Sequence, residues 1–195
     1  DTAFSNERLQ FLYMGTVTHD EDFDLVYPAL KELAARHPDR FDLTVVGAVR
    51  KLPNEPWIHR LSPPAGQGSY PKFVRWLMAN NGFDVGIAPL QDTPFNRAKS
   101  DIKFLDYSAM GLLSVVSDSP AYRGCIDRKF AIGCRDREEW LENLGAVLAT
   151  PSSFEPMRKR ALEYVWAERN TLGNVNLLSD ILGNGEYHNH ELSAH

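Results

Sequence analysis

The sequence predicts an α/β fold, a doubly wound and mainly parallel sheet with helices on both faces. Three observations carry that expectation. Short apolar runs rich in β-branched and aromatic residues alternate with runs whose apolar residues recur every three to four positions, the pattern of βαβ units. The central run Phe83 to Leu90, FDVGIAPL, alternates only weakly, as a strand covered on both faces does. No repeat, low-complexity stretch or linker divides the 195 residues, a length that one domain fills with a sizeable core. Residues 1–183 are therefore expected to form one domain and residues 184–195 a mobile tail.

Leu9 to Met14, LQFLYM, reads as the first strand, followed by the loop Gly15 to His19. Asp20, Glu21 and Asp22 suit the positive end of a helix. Val26, Ala29, Leu30 and Leu33 then recur at helical spacing until Arg36-His37-Pro38 stops it. Phe41 to Val49 is the second strand and Trp57 to Leu61 a short third. Pro63 to Ser69 is turn-rich, and Tyr70 to Ala79 reads as a helix ended by Asn80-Asn81-Gly82. After the fourth strand, Phe83 to Leu90, a polar loop leads to a helix from Ser100 to Met110, with Gly111 at its C-terminal cap. Leu112 to Ser117 is the fifth strand and Phe130 to Gly133 a short sixth. Asp136-x-x-Glu139 and Ser152-x-x-Glu155 have the form of capping boxes, opening helices to Ala149 and to about Glu168. A last helical segment is expected over Asn174 to Leu182.

Composition narrows the function. A net charge of −5 argues against a nucleic-acid binder, which needs clustered Lys and Arg. No apolar run approaches the ~20 residues that cross a bilayer. Two cysteines, Cys125 and Cys134, are too few for a disulfide framework or a zinc site and read as reduced structural thiols. The chain opens at Asp1 without a methionine or signal peptide, and a core strand arrives by Leu9, as expected of a domain excised from a longer protein. There is no G-x-G-x-x-G, P-loop or G-x-S-x-G pattern, so dinucleotide, Walker-type and serine-hydrolase chemistry are not indicated.

The chemistry-bearing segment runs from Gln91 into the helix after the fourth strand. A helix N-terminus beyond the carboxyl end of a strand is where open α/β sheets hold phosphates. Arg97, Lys99 and Lys103 add full charges there, the two lysines one turn apart. The same residues also make an ordinary helix start, with Ser100 as N-cap, Asp101 favourable to the dipole and Lys103 paired with Asp106. Asp106 lies beside core-facing Leu105 and Ala109 and needs a partner, either Lys103 or a ligand hydroxyl. Gly15 permits close backbone approach to a phosphate, and Thr16 and Thr18 supply hydroxyls. Trp57, Tyr70, Phe73 and Trp76 gather near the Pro63–Ser69 loop, as core or as the wall of a site.

The segment Phe83 to Ser119, with Leu105-Asp106-Tyr107-Ser108-Ala109-Met110-Gly111 and Leu113-Ser114-Val115-Val116 at its heart, resembles the donor-nucleotide segment of group 1 (family 4) glycosyltransferases. The opening Tyr13 to Asp24 is similar to members that build bacterial surface polysaccharides, and Tyr164-Val165-Trp166-Ala167-Glu168 to the family's closing helix. The resemblance implies a Rossmann-like fold, the C-terminal half of a GT-B architecture. It implies that Asp106 holds the nucleotide ribose, that Gly15 and Thr16 face the donor diphosphate with Arg97, Lys99, Ser100 and Lys103, and that Lys99 is the catalytic cation. Leu61 and residues 66–69 would lie near the base. The sequence departs from the family in three places: Thr16 replaces the usual arginine, Ala98 stands at the first of two acids, and Asp106 is one methylene shorter than the usual second.

The resemblance further implies retaining glycosyl transfer from a nucleotide-diphosphate sugar, in bacterial surface polysaccharide or glycan synthesis, with no metal and no cofactor. The N-terminal acceptor-binding half is missing, so the chain is expected to be an incomplete enzyme. The expected location is cytoplasmic, with peripheral contact at the inner membrane face assigned to the missing half. The alternatives are a non-catalytic nucleotide-binding or scaffolding module and part of a GT-B-fold epimerase.

Overall fold

The computed structural model describes residue 4 and residues 8–15, 20–47, 49–64, 70–80 and 82–169. Six strands, β1 (Leu9–Gly15), β2 (Phe41–Gly47), β3 (Ile58–Leu61), β4 (Val85–Ala88), β5 (Leu113–Ser117) and β6 (Ala131–Cys134), form one sheet in the order β3-β2-β1-β4-β5-β6. Every neighbouring pair is parallel. The chain winds outward from β1 to β3, then returns past β1 to lay β4 on its other side. That reversal leaves a crevice beyond the carboxyl ends of β1 and β4, the switch point where this topology binds ligands.

Among the described residues seven helices accompany the strands: α1 (Asp20–Arg36), α2 (Tyr70–Ala79), α3 (Pro94–Arg97), α4 (Ile102–Ala109), α5 (Arg123–Asp127), α6 (Arg137–Ala149) and α7 (Glu155–Glu168). Alternate residues of β1 feed two separate cores. Phe11 and Tyr13 pack with Phe23, Leu30, Leu33 and Trp140 under α1 and α6. Leu12 and Met14 pack with Phe104, Tyr107, Leu112 and Val165 under α4 and α7. A strand apolar on both faces needs cover on both, and each large side chain buried this way contributes roughly 1.5–3 kcal/mol.

Most expected boundaries stand within two residues, and α2 has the predicted limits. The sixth strand is shifted one residue later. Asp136 caps α6 by accepting the Glu139 N–H at 2.9 Å, while the Glu139 carboxylate turns to the Arg135 N–H instead of the cap residue's own. Gly111 closes α4 as expected: its N–H reaches Ser108 O and the Leu112 N–H reaches Tyr107 O, a Schellman pattern.

Two expectations are corrected. Ser100 is not a helix cap, because α4 starts at Ile102 and Asp101 holds the cap position. The Asp101 carboxylate gives no cap bond; it accepts from Arg169 at 3.0 and 3.1 Å. Ser152-x-x-Glu155 is not a capping box. Pro151–Phe154 form a 3₁₀ turn, and the Glu155 carboxylate accepts the Phe4 N–H at 2.9 Å. The loop after β4 also contains the short α3, which periodicity does not reveal. The predicted helix Asn174 to Leu182 and the tail 184–195 lie outside the described residues, as does the upper limit of the 1–183 domain.

Candidate functional site

The crevice is built by one tyrosine. β1 pairs with β2 along seven positions but with β4 at only two, Phe11–Val85 and Leu12–Gly86. Past Leu12 the two strands part, and Tyr107 from α4 fills the gap. Its hydroxyl accepts the Met14 N–H at 3.2 Å and donates to the Ile87 carbonyl at 3.0 Å, so a phenol replaces a missing ladder bond. Burial pushes this phenol well above its ordinary range, keeping the donor protonated. The ring rests on Gly86, where a Cβ would stand 2.3 Å from the Tyr107 Cγ. Only glycine fits there. At the end of β2, Gly47 (φ +68°) faces the Gly15 carbonyl oxygen, 2.4 Å from where a Cβ would sit.

The loop after β4 is fastened on two sides. The Leu90 N–H donates to Ser117 Oγ on β5 at 2.8 Å. The Gln91 N–H donates to Asp22 Oδ1 on α1 at 2.8 Å, and the Gln91 side-chain amide donates to the Glu21 carbonyl. Asn96, itself buried, donates to the Gln91 carbonyl at 2.9 Å and to Asp22 Oδ1 at 3.3 Å. Thr93 caps α3 through the Asn96 N–H. Asp22 is thus the hub of the loop, and it is 4% exposed.

Two lysines meet this hub. Lys99 Nζ lies 3.9 Å from Asp22 Oδ2, a long ion pair, and stands over the Phe95 ring, 5.3 Å from its centroid. Lys103, in the first turn of α4, carries its Nζ to 5.2 Å from the Tyr13 ring centroid. That ammonium is buried and makes no hydrogen bond among the described residues, so the alternative pairing with Asp106 does not form. Burial pushes its pKa down to about 8; the Asp22 carboxylate opposes that shift and Lys99 adds to it.

The other candidates are placed as follows. Gly15 ends β1 at the crevice. Asp106 is half-buried on α4, one turn beyond Lys103. Ser100 is exposed ahead of the helix. Arg97 does not join the lysines: its guanidinium makes a bidentate pair with Asp92 at 2.6 and 2.7 Å, which lowers the Asp92 pKa and raises its own. Thr16, His19 and residues 66–69 lie outside the described residues. Leu61 ends β3, half-buried. Among the described residues no three His, Cys, Asp or Glu side chains could hold a metal ion together.

Sequence reasoning missed Asp22, Asn96, Tyr107 and Gly86. Asp22 sits in a run of three acids that all suit a helix start, and only its burial sets it apart. The signals for the last two existed: a glycine inside a strand pattern marks close approach of another group, and an aromatic in the helix that follows is the natural group to approach it.

No protein-family model matches the chain, and no curated protein matches it. Solved structures do. WaaG, a glycosyltransferase involved in lipopolysaccharide biosynthesis, superposes with a TM-score of 0.63 at 18% identity over 93% of this chain and 48% of its own. Anabaena HepE, in complex with UDP and glucose, gives 0.67 at 10% identity over 91% and 49%. The C-terminal domain of the group 1 family glycosyl transferase LpcC from Francisella tularensis gives 0.58 at 11% identity over 84% of this chain and 86% of its own. At these identities the likeness establishes the fold, the Rossmann-like α/β fold of GT-B glycosyltransferases. The chain spans about half the length of WaaG and HepE.

Proposed function

We propose that this chain, folded as one half of a GT-B glycosyltransferase, binds the diphosphate of a nucleotide-activated sugar in the crevice beyond β1 and β4. The observation that carries the reading is the convergence of Lys99 and Lys103 at the switch point, where the Lys103 ammonium is buried with no hydrogen-bond acceptor among the described residues. An ammonium held out of water without an acceptor is costly. An anion at the head of α4 would supply the missing charge, helped by the free N–H groups of the helix end. The named structures fit this reading, since HepE is in complex with UDP and glucose and WaaG is a glycosyltransferase.

In this reading Gly15 and Thr16 border the diphosphate, Ser100 offers a hydroxyl beside it, and Asp106 holds the ribose. Lys99 is the catalytic cation. As the sugar C1–O bond breaks, negative charge grows on the departing phosphate oxygen, and Lys99, Lys103 and the N–H groups of α4 stabilise it without a metal. The transfer retains anomeric configuration and serves surface polysaccharide or glycan synthesis. It needs the acceptor-binding half that this chain lacks, and any peripheral contact with the inner membrane face belongs to that half. Arg97 is assigned no diphosphate contact while Asp92 holds it, and that pairing favours the second reading, a binding or scaffolding module without transfer activity.

The test is calorimetric titration of the chain with UDP, GDP, dTDP and ADP, with and without magnesium. Selective binding of one diphosphate, independent of magnesium and weakened tenfold or more by Lys99→Ala, supports the reading. Absence of binding by all four to folded protein refutes it.

A further inference from the structure

Resting on the diphosphate reading, a further property follows from how Lys103 is held. Its Nζ comes from α4 on one face of the sheet but ends over Tyr13, whose ring belongs to the core of the opposite face. The amine therefore crosses the carboxyl ends of the strands, at the point where β1 and β4 part. It is buried there, with no acceptor among the described residues. The charged groups that act on it are Asp22 from α1, favouring the ammonium, and Lys99 from the loop before α4, opposing it. Tyr13 from β1 presents its ring. Tyr107, on its own helix, and Tyr122, within electrostatic reach of Asp22, are phenols that burial keeps neutral. Asp22 is already engaged by Gln91, Asn96 and Lys99.

We propose that Lys103 is a proton-uptake group: when a diphosphate settles at this site, the fraction of Lys103 that stands as the neutral amine takes its proton from solvent, and the side chain is held wholly as the ammonium. The free site keeps one secure cation, Lys99, opposite one carboxylate, Asp22. The negative charge of the arriving diphosphate makes a second buried cation favourable. No bond is made or broken other than N–H, and the proton comes from the buffer. Binding then weakens as pH rises above neutrality, although the diphosphate itself no longer changes charge there, its last ionisation lying near ~6. The site would sense pH through its own lysine.

Proton uptake is read by titrating UDP, GDP, dTDP and ADP into the chain in buffers of different ionisation enthalpy. With the free amine titrating at about 8 and its usual value restored by the anion, uptake is about half a proton per diphosphate at pH 8 and about a tenth at pH 7. Lys103→Met and Lys103→Arg should both bring uptake at pH 8 to zero, Met because nothing titrates and Arg because its charge is permanent. A diphosphate that binds with the same enthalpy in every buffer at pH 8 overturns the proton proposal and leaves the diphosphate reading standing. Uptake that persists in Lys103→Met assigns the proton elsewhere and also overturns it. No binding of any of the four removes the diphosphate reading and the proposal with it.

Discussion

Replacing Tyr107 with phenylalanine removes one oxygen and orphans two backbone groups. The Met14 N–H and the Ile87 carbonyl both end on that hydroxyl, and β1 and β4 do not pair at either position. A buried unsatisfied backbone group costs about 1–3 kcal/mol, less for a carbonyl than for an N–H. The loss should be about 2–4 kcal/mol. For a chain of this size each kcal/mol lowers the melting temperature by about 2–4 °C, so Tyr107→Phe should melt roughly 5–15 °C below the native protein, by circular dichroism, with a matching fall in urea midpoint. Gly86→Ala attacks the same contact from below, where the added methyl would overlap the ring and cost about 1–3 kcal/mol. In a Tyr107→Ala background that penalty should largely vanish, because the atoms it strikes are gone. A Tyr107→Phe protein within 2 °C of native, or a Gly86→Ala cost unchanged without the ring, would refute the account of how the crevice is held open.

Three further outcomes follow from the same geometry. Lys103→Met should raise stability at neutral pH by about 3 kcal/mol, since a lysine titrating at about 8 when folded and at its usual 10.5 when unfolded disfavours folding by that amount; the penalty is complete below about pH 8 and is lost as pH rises through 10.5, so native and variant urea midpoints should converge over that window. Asp22→Ala should lower stability by about 2–4 kcal/mol by stranding the Gln91 N–H and one of the two Asn96 amide N–H groups, the other keeping the Gln91 carbonyl, whereas Glu21→Ala, at an exposed neighbour, should stay within about 0.5 kcal/mol in the same urea titration. Cys125 and Cys134 are both free, and burial pushes each thiol up to about 12. Neither should react with iodoacetamide at pH 8 until denaturant is added, as mass spectrometry of the intact chain would show.

Periodicity made the sheet legible because β1 is apolar on both faces and α1 on one, and those patterns survive in one dimension. It also led to Lys99, Lys103 and Asp106 as residues gathered at one helix start. What it could not convey is which charge lies under cover. Asp22, Glu21 and Asp20 are equivalent as a string, and Asp22 becomes a hub only because Gln91, 69 residues later, folds over it. Arg97 and Lys99 likewise read as one cationic cluster, yet Arg97 is taken by Asp92 five residues earlier, a spacing no regular element would suggest. Ser100 looked like a cap because Ser-Asp commonly opens a helix; here Arg169, from the far end of α7, draws the Asp101 carboxylate away from the helix end.

The two central strands behave as the jaws of a clothes-peg. Their amino ends are clamped, with the Gln10 N–H on the Asp84 carboxylate and the Asp84 N–H on the Gln10 carbonyl, each at 2.8 Å. Their carboxyl ends are propped by a rigid aromatic strut of fixed length. The separation of β1 and β4 at that end is therefore fixed from inside the core.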